Sequence, residues 1–337
     1  MVAPLSSGGI PRSYSATAMA AAGLPHASAR IAVVGSLNID VVMTLDRVPN
    51  AGETVLADDL NQVPGGKGGN QAVACARHGA QVSLFGAVGR DHAGNTLRLA
   101  LHDVGVDVDH IAVLDDKPTG IAMIMVESNG QNRICVVPGA NAELELNDDT
   151  LMHVLAQADY VLLQLETPMP VVDQVLRAAQ SAGCRVVLNP SPVQALPQEW
   201  WSMVHTLVLN EHEAAWLSGQ TVESTDSAIA AAKALLARGV QQVVVTLGGQ
   251  GVVTAIAQDG IITRTHSAIK VPVVDTTAAG DTFLGAMVTR LAEGETLDDA
   301  VSWGIRAASL CIGKHGAQPS IPAREEVQNF ARTGELV

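Results

Sequence analysis

Short continuous runs of apolar residues alternate with longer amphipathic segments from residue 31 onward. Continuous apolar runs of this length are typical of strands that are buried on both faces of a parallel sheet. The runs that we predict as such strands lie at 31–35, 81–87, 160–165, 185–188, 206–209 and 243–246. Helical periodicity predicts helices between them, for example at 91–103 and 170–182. The pattern therefore predicts an α/β fold with a mostly parallel central sheet covered by helices on both faces.

A second group of β segments interrupts this alternation in the first half of the chain. Strand-forming residues occupy 41–45 and 54–63, on either side of a Pro-Asn-Ala-Gly turn. They also occupy 120–127 and 133–137, which flank the Ser-Asn-Gly sequence at 128–130. That sequence is a strong hairpin signal, so these segments are predicted as additional strands.

The segment 271–287, VPVVDTTAAGDTFLGAM, predicts a strand end, a turn of small residues and a helix. The β-branched residues at 271–274 favour a strand, and the helix that follows is predicted to end at Gly294. Asp281 then stands in the first helical turn, beside N–H groups that can hold an anion. A proton-accepting carboxylate beside an anion site suits group transfer. The alternative is a carboxylate that only stabilises the helix dipole, by up to about 1 kcal/mol.

Polar residues follow the first predicted strand, and a glycine-rich segment comes soon after. Ser36, Asn38 and Asp40 stand where ligand contacts are usual in open α/β sheets, although an ordinary turn explains them equally well. The segment 64–71, PGGKGGNQ, surrounds Lys67 with glycines that let the backbone approach a ligand. It is not a Walker A loop, because Lys67 is followed by Gly rather than by Ser or Thr.

Two further strand-to-helix or strand-to-strand junctions carry polar or glycine-rich sequences. Residues 210–213 read NEHE, in which Asn210 suits a helix N-cap and the acidic residues suit the helix dipole. The functional alternative is that Glu213 organises a metal ion. Residues 247–251 read LGGQG, which predicts either a hairpin or a turn that passes close to a nucleotide.

Composition excludes several classes of partner. The formal net charge is −14 and aromatic residues make up 3% of the chain. Nucleic acids and anionic membranes both require a basic face, and single-stranded nucleic acids also require stacking platforms. No apolar run is long enough to cross a bilayer. We therefore predict no nucleic-acid and no membrane partner.

The N-terminal residues and the cysteines bear on location. Residues 1–29 are rich in Ala, Ser, Gly and Pro and contain no Asp or Glu. They are predicted as a disordered tail, with an organellar leader as the alternative. Cys75, Cys135, Cys184 and Cys311 are widely spaced and form no C-x-x-C pair, which predicts free thiols in a reducing compartment. The protein is accordingly predicted to be cytoplasmic.

Two segments resemble the signatures of one enzyme family. GGKGGNQAVACARHGAQVSLFGAVGRD at 65–91 and DTTAAGDTFLGA at 275–286 are similar to the signatures of the PfkB-type, or ribokinase, family of carbohydrate kinases. The resemblance covers nearly all of the chain from Arg30 to Phe330. Its ribokinase branch is the most similar, which implies ATP-dependent phosphorylation of the primary 5-hydroxyl of D-ribose within a kinase domain at 30–337.

The resemblance also implies roles for individual residues. Asp281 is implied as the general base, and the amides of Ala279 and Gly280 as the anion hole. The residues implied to bind the sugar are Asn38, Asp40, Gly66, Lys67, Asn70, Glu166 and Asp281. Those implied to bind the nucleotide are Asn210, Thr246, Leu247, Gly248, Gly249, Gln250, Gly251, Gly280, Asp281 and Ile305. Glu213 is implied to hold Mg²⁺ through water, and K⁺ is implied to lie among Asp275, Thr277, Cys311, Lys314, Gly316 and Ser320.

The family further implies a small β-sheet lid, from about 40–64 and 119–138, that covers the sugar and joins two chains in a homodimer. The chain departs from the family at Ile305, where His or Asn is common near the adenine, and at Gly69, where Ala is common. Other acceptors, such as deoxyribose, fructose or a nucleoside, stay open, and so does a catalytically silent sugar-binding regulator. The absence of G-x-G-x-x-G after 31–35 and of G-x-S-x-G argues against a dinucleotide-dependent oxidoreductase and a serine hydrolase.

Overall fold

The computed structural model of the chain describes residues 28–127 and 132–334. Nearly all of the predicted leader at 1–29 and the predicted turn at 128–130 lie outside these residues. Both therefore stay predictions, as does the domain boundary at residue 30.

Strands in the described residues form two sheets. In chain order they are β1 Arg30–Val34, β2 Asn38–Leu45, β3 Asp59–Gly65, β4 Gln81–Gly89, β5 Val106–Asp107, β6 Ile111–Leu114, β7 Gly120–Glu127, β8 Asn132–Val137, β9 Tyr160–Leu163, β10 Arg185–Leu188, β11 Thr206–Asn210, β12 Gln242–Thr246, β13 Val252–Ala257 and β14 Ile261–His266. The large sheet has the order β14-β13-β12-β11-β10-β9-β1-β4-β5, and β6 pairs with β4. Its strands are parallel except for the antiparallel pairs β12–β13 and β13–β14. The predicted mostly parallel sheet is confirmed.

Helices cover both faces of this sheet. They are α1 Lys67–Arg77, α2 His92–Asp103, α3 Asp148–Leu155, α4 Met169–Ala182, α5 Glu211–Ser218, α6 Thr225–Leu236, α7 Ala279–Ala292, α8 Leu297–Cys311 and α9 Arg324–Thr333. Alternate residues of β1 show the two layers, because side chains along a strand point to opposite faces. Ala32 and Val34 pack in one buried cluster with α3 to α6, whereas Ile31 and Val33 pack in another with α1, α2, α7 and α8. No helix within the described ranges is long and apolar enough to cross a membrane.

The small sheet has the strand order β3-β2-β7-β8. Its central pair, β2 and β7, is parallel, and the outer pairs are antiparallel. The predicted strands 120–127 and 133–137 are confirmed, but two boundaries differ from the prediction. Residues 54–58 form no strand, so β3 begins at Asp59, and β2 begins at Asn38 because Asn38 pairs with Gly65 and Gly120. Asn38 and Asp40 therefore lie on one face of this sheet rather than in a turn.

The strand end predicted at 271–274 is wrong. These residues form no strand, although their β-branched side chains favour one. The backbone N–H groups of Val274 and Asp275 instead donate to the carbonyl of Ile312, just beyond α8, at 2.8 and 3.2 Å. The segment thus runs beside the end of a helix, and Val273 stays 62% exposed. The helix predicted to follow it is confirmed as α7.

Candidate active site

The predicted site residues gather at one edge of the large sheet. β1 lies between β4 and β9, so the chain proceeds from it toward both sides of the sheet. Open α/β sheets bind ligands beyond the carboxyl ends of their strands at such a switch point. Ser36 follows β1, Glu166 follows β9, Asn210 ends β11 and Thr246 ends β12. Because these strands are parallel, their ends meet at the same edge.

The N-terminus of α7 lies at this edge of the sheet. The residue before the helix has an unusual backbone conformation. This N-cap, Ala278, has φ 58° and ψ 10°, in the left-handed region that costs an L-residue roughly 1–2 kcal/mol. Such strain is common at functional sites. The N–H of Ala279 donates to Thr276 O at 3.2 Å. Among the described residues, the amides of Gly280 and Asp281 have no such partner, so they are the ones free to meet an anion.

Asp281 is held by two amide side chains from α1. The residue is buried, with 8% exposure. Asn70 Nδ2 donates to Oδ2 at 3.0 Å, and Gln71 Nε2 donates to Oδ1 at 2.9 Å. The two helices approach closely because Gly285 of α7 lacks a side chain; a Cβ there would lie 2.5 Å from Ala74 Cβ. Asn70 Oδ1 is buried and has no hydrogen-bond partner within the described part of the chain.

A polar cluster lies beside Asp281 and contains the predicted sugar residues. Asn38 Oδ1 accepts a hydrogen bond from Asn141 Nδ2 at 2.8 Å. Glu166 accepts one from the hydroxyl of Ser36 and one from the backbone N–H of Lys67 at 3.5 Å. Gly66 begins α1 with φ +84°, a conformation that favours glycine, and so turns the chain at this point.

Electrostatics couple the charged members of this cluster. Burial, and then the nearby Glu166 and Asp281, raise the pKa of Asp40 from 3.8 to about 7, although Lys67 opposes this. Burial alone would lower the pKa of the Lys67 ammonium. The carboxylates of Asp281, Glu166, Glu213 and Asp40 outweigh that effect and raise it. Lys67 is therefore a permanent cation that offsets the charge of the surrounding carboxylates.

Glycines make room for two of the cluster's side chains. A Cβ at Gly65 would overlap the carboxylate of Asp40, and a Cβ at Gly120 would overlap the amide oxygen of Asn38. Both glycines pair with β2, so a larger residue would push the polar groups out of place. The β2 side chains can thus reach the site only because their neighbours are small.

Two cavities that share lining residues lie at the N-terminus of α7. The larger, about 660 Å³, is lined by the predicted residues Thr246, Gly248, Gly249, Gly251, Gly280 and Ile305. The smaller, about 230 Å³, is lined by the predicted residues Lys67, Asn210, Glu213, Thr246, Ala279, Gly280 and Asp281. Gly280 borders both cavities. The predicted Leu247 and Gln250 line neither cavity, and Leu247 is buried.

The NEHE sequence forms a capping box at the start of α5. Asn210 Oδ1 accepts from the N–H of Glu213 at 2.8 Å, and Glu213 Oε2 accepts from the N–H of Asn210 at 3.0 Å. The structural interpretation of this sequence is therefore correct. Glu213 also borders the smaller cavity, with 5% exposure, so a second role is compatible with its position. Within the described ranges, no group of three or more His, Cys, Asp or Glu side chains could hold a metal ion.

The residues predicted to surround a monovalent cation come from two adjoining loops. Asp275 Oδ1 accepts from the N–H and hydroxyl of Thr277 at 2.9 and 2.6 Å, and Oδ2 accepts from Gly316 N at 2.9 Å. Burial opposes ionisation of Asp275, but these hydrogen bonds outweigh it and lower the pKa. The thiol of Cys311 lies 3.1 Å from Ser320 Oγ, and burial raises its pKa. Lys314 points away and pairs with Glu326 at 2.6 Å.

A sequence profile described as pfkB family carbohydrate kinase matches residues 28–324. The chain belongs to the PfkB carbohydrate kinase family. The predicted family, fold class and enzyme class are thereby confirmed.

This PfkB family member is similar in sequence to several relatives over nearly their full length. It is 38% identical over 301 residues to the ribokinase of Haemophilus influenzae, covering 89% of this chain and 97% of the relative. It is 38% identical over 312 residues to the ribokinase of Schizosaccharomyces pombe, covering 88% and 96%. The structure of Arabidopsis thaliana ribokinase complexed with ribose and ATP superposes with a TM-score of 0.83 at 35% identity, covering 90% of this chain and 99% of that one.

Several residues of this PfkB site carry no local sequence signal. Asn141, from the turn after β8, anchors Asn38 and also bonds to the backbone N–H and carbonyl of Leu37 at 2.8 and 3.0 Å. Gln71 lies inside the glycine-rich motif, yet nothing in the motif indicates that it touches Asp281. Val271 and Val273 line the larger cavity, although the sequence predicted them as strand residues.

Proposed function

We propose that the protein transfers the γ-phosphoryl group of ATP to the primary 5-hydroxyl of D-ribose. The observation that carries the proposal is the position of Asp281. It stands at the N-terminus of α7, next to a polar cluster, and borders a cavity that shares lining residues with a larger, apolar one. A kinase needs an acceptor site, a donor site and a base between them. The relatives that are named ribokinases, and the neighbour that holds ribose and ATP, support ribose and ATP as the two substrates.

The polar cluster suits a polyhydroxylated acceptor. Asn38, Asp40, Glu166 and the backbone at Gly66 and Lys67 would supply directional hydrogen bonds. Asn70 would bind two groups with the two ends of its amide. Its Nδ2 holds Asp281, and its buried Oδ1 has no partner in the described chain and could accept from the sugar. A buried acceptor without a partner is costly, so a ligand hydroxyl that donates to it would be favoured.

The chemistry would need positioning and charge stabilisation rather than a covalent intermediate. Asp281 would accept the proton of the 5-hydroxyl as that oxygen bonds to the γ-phosphorus and the bond from this phosphorus to the bridging oxygen breaks, which releases ADP. The free amide of Gly280, that of Asp281 and the N-terminal dipole of α7 would stabilise the negative charge on the phosphoryl oxygens. Ala279 would join this anion hole only by sharing its N–H with Thr276.

The larger cavity suits the nucleotide. Its apolar wall, which includes Ile305, Ile269 and Val271, would hold the adenine ring. Thr246 borders both cavities, Asn210 borders the smaller one, and both would face the phosphates. Ile305 offers no hydrogen bond where the family often has His or Asn, so recognition of the base would rely on shape and apolar contact.

Mg²⁺ and K⁺ would occupy different places. Mg²⁺ binds through few carboxylates, its own waters and substrate phosphates, so the single carboxylate of Glu213 fits it without a protein cage. It would neutralise phosphate charge. The loops around Asp275 offer a carboxylate held ionised, hydroxyls and carbonyls, which are the oxygen ligands that a hard cation such as K⁺ prefers. The Cys311 thiol would contribute nothing, because burial keeps it protonated.

The small sheet would act as the lid and as a dimer interface. It exposes large apolar side chains on both faces: Leu60, Met123 and Val137 on one, and Ile134 and Val136 on the face that carries Asp40. Exposed apolar side chains that lie side by side favour an interaction surface. Asn38 and Asp40 lie on one face of the same sheet, so movement or pairing of the sheet would affect the sugar site directly.

A cytoplasmic location fits the cysteines. All four are free in the structure, and Cys75, Cys184 and Cys311 are buried. Buried free thiols are usual in reducing compartments.

The test is ATP consumption with a panel of acceptors, with and without K⁺. We expect ribose to give the highest kcat/KM. A higher value with deoxyribose, fructose or a nucleoside would assign a different PfkB activity. Specific binding of sugar without turnover on any acceptor would favour the silent regulator.

A further inference from the structure

Two buried glutamines connect the end of β9 to Asp281. Gln164 Nε2 donates to Gln71 Oε1 at 2.6 Å, and Gln71 Nε2 donates to Asp281 Oδ1 at 2.9 Å. Both glutamines are fully buried, at 0% exposure. Within the described residues, Gln164 makes no hydrogen bond to Asp281 or to the polar cluster, so its hydrogen-bonded path to the carboxylate runs through Gln71.

The two hydrogen bonds run in one direction, from Gln164 through Gln71 to Asp281. A side-chain amide donates from its nitrogen and accepts at its oxygen, and a network of partners decides which end points where. Because the oxygen of Gln71 is taken by an N–H of Gln164, its nitrogen must face Asp281. A flipped Gln71 would set oxygen against the carboxylate and nitrogen against nitrogen. Gln164 therefore favours the orientation of Gln71 that donates to Asp281. Asn189 Oδ1, which accepts from the same Nε2 at 3.4 Å, favours this orientation as well.

The buried amide of Gln164 is satisfied only at the end that faces Gln71, within the described part of the chain. A Cβ at Gly35 would overlap both Gln164 Oε1 and the Cα of Gly68, so glycine after β1 leaves room for this side chain and for the start of α1. Gln164 Oε1 itself has no hydrogen-bond partner in the described chain and is buried. A buried amide oxygen without a partner costs free energy. The Nε2 of the same amide satisfies Gln71 Oε1, so the benefit that offsets this cost lies in the hydrogen bond to Gln71.

We propose that Gln164 and Gln71 are positioning residues that fix the plane of the Asp281 carboxylate for proton abstraction. Gln71 holds Oδ1, Asn70 holds Oδ2, and the two anchors together prevent rotation of the carboxylate. The inference rests on the proposed role of Asp281 as the base. Proton abstraction depends on the direction of the accepting lone pair, so loss of the Oδ1 anchor should slow the chemical step without weakening sugar binding.

The first test replaces each glutamine by methionine, which has a similar length and cannot hydrogen-bond through an amide. Gln71→Met should lower kcat by roughly 10–100-fold, the range expected for a misplaced catalytic group, and leave the KM for ribose within about threefold. Gln164→Met should lower kcat in the same direction. Gln242→Met is the matched control, because Gln242 accepts from Thr206 at 3.1 Å at the opposite edge of the sheet. It should leave kcat unchanged.

A double variant tests whether Gln164 acts on Asp281 through Gln71, an arrangement that we call the relay. The alternative is that the two glutamines affect kcat independently. If Gln164 acts through Gln71, the Gln71→Met/Gln164→Met protein should be no slower than Gln71→Met alone. Multiplicative losses would overturn the relay, and so would wild-type kcat in both single variants.

In Gln164→Glu, the pH dependence of kcat should change. A purely structural role of Gln164 predicts no such change. The isosteric carboxylic acid can donate to Gln71 when protonated, but it repels the oxygen of Gln71 when ionised. Its kcat should therefore fall, relative to wild type, as the pH rises through the titration of the new carboxyl group, whereas Gln164→Met should keep the wild-type profile shape. A Gln164→Glu profile that parallels wild type at every pH would contradict the relay.

A measurement that does not require turnover tests the relay separately from the proposed kinase activity. Wild-type protein that phosphorylates no sugar would refute the proposed function. In that case, the side-chain amide NMR signal of Gln71 still decides the relay. The signal should shift in Gln164→Met and in Asp281→Asn but not in Gln242→Met. An unchanged signal in Gln164→Met would overturn the relay.

Discussion

Replacement of Gly280 by alanine should separate the stability of the protein from its activity. Gly280 is the second residue of α7, is solvent-exposed and is not among the glycines with positive φ. A Cβ at this position would meet no atom within 4 Å apart from its chain neighbours and the backbone of its own helix. The side chain of alanine therefore fits without strain. Alanine in place of glycine stabilises a helix by roughly 0.5–1 kcal/mol, so the free energy of unfolding should rise slightly.

Activity should change in the opposite direction. Gly280 borders both cavities, and its amide is free to meet an anion. The open space around its Cβ is therefore the space in which a phosphoryl group would lie. A methyl group there would push the anion away from the amide. Loss of one preorganised donor of this kind costs about 10²–10³-fold in kcat, so Gly280→Ala should lose activity by that order.

The assay pairs urea unfolding with steady-state turnover. Gly183→Ala is the control: Gly183 caps α4 with φ +73°, and its Cβ would also meet no atom within 4 Å. Alanine should cost roughly 1–2 kcal/mol of stability there, because of the left-handed backbone, and leave kcat unchanged. If Gly280→Ala keeps wild-type turnover, the N-terminus of α7 is not the anion site.

Three further predictions concern the polar cluster, the cation loops and the small sheet. The fold holds the proton of Asp40 up to about pH 7, whereas an ordinary aspartate releases it near 3.8. The folded state thus binds more protons in this window, and the free energy of unfolding should fall as the pH rises through it, by up to about 4 kcal/mol at 1.36 kcal/mol per pKa unit. Asp40→Asn should flatten that part of a urea-unfolding pH series, and an unchanged slope would contradict the shift. K⁺ should raise kcat relative to Na⁺, and Asp275→Asn should abolish the difference; equal rates in both salts with wild-type protein would remove the cation site. Ile134→Lys should shift sedimentation from dimer toward monomer, and a wild-type protein that sediments as a monomer at all concentrations would refute the interface.

The parts of the fold that the sequence predicted are those that local chemistry decides. The strands β1, β4 and β9 to β12 are continuous apolar runs, and such runs are buried on both faces wherever they occur. The helix α7 and the position of Asp281 in its first turn likewise follow from neighbouring residues. The error at 271–274 arose because a β-branched segment needs a free strand edge to pair with, and the sequence does not show whether one is available.

The site was predictable only in part, because its geometry depends on distant contacts. The family motifs marked Asp281, Asn70 and Lys67. The contacts between Gln71 and Gln164, or between Asn38 and Asn141, join residues about a hundred positions apart. A single sequence carries no signal for such a pair. The hydrogen bonds that Gln71 makes can be seen only in the folded structure, where α1, β9 and α7 lie together.

Asp281→Asn tests the central claim most directly. The amide has the shape of the carboxylate but cannot act as the base. Unfolding and ribose binding should stay close to wild type, and kcat should fall on the order of 10²–10⁴-fold, the usual range for loss of a general base. Turnover within a few-fold of wild type, in a variant that binds ribose normally, would contradict the assignment of Asp281 as the group that receives the proton.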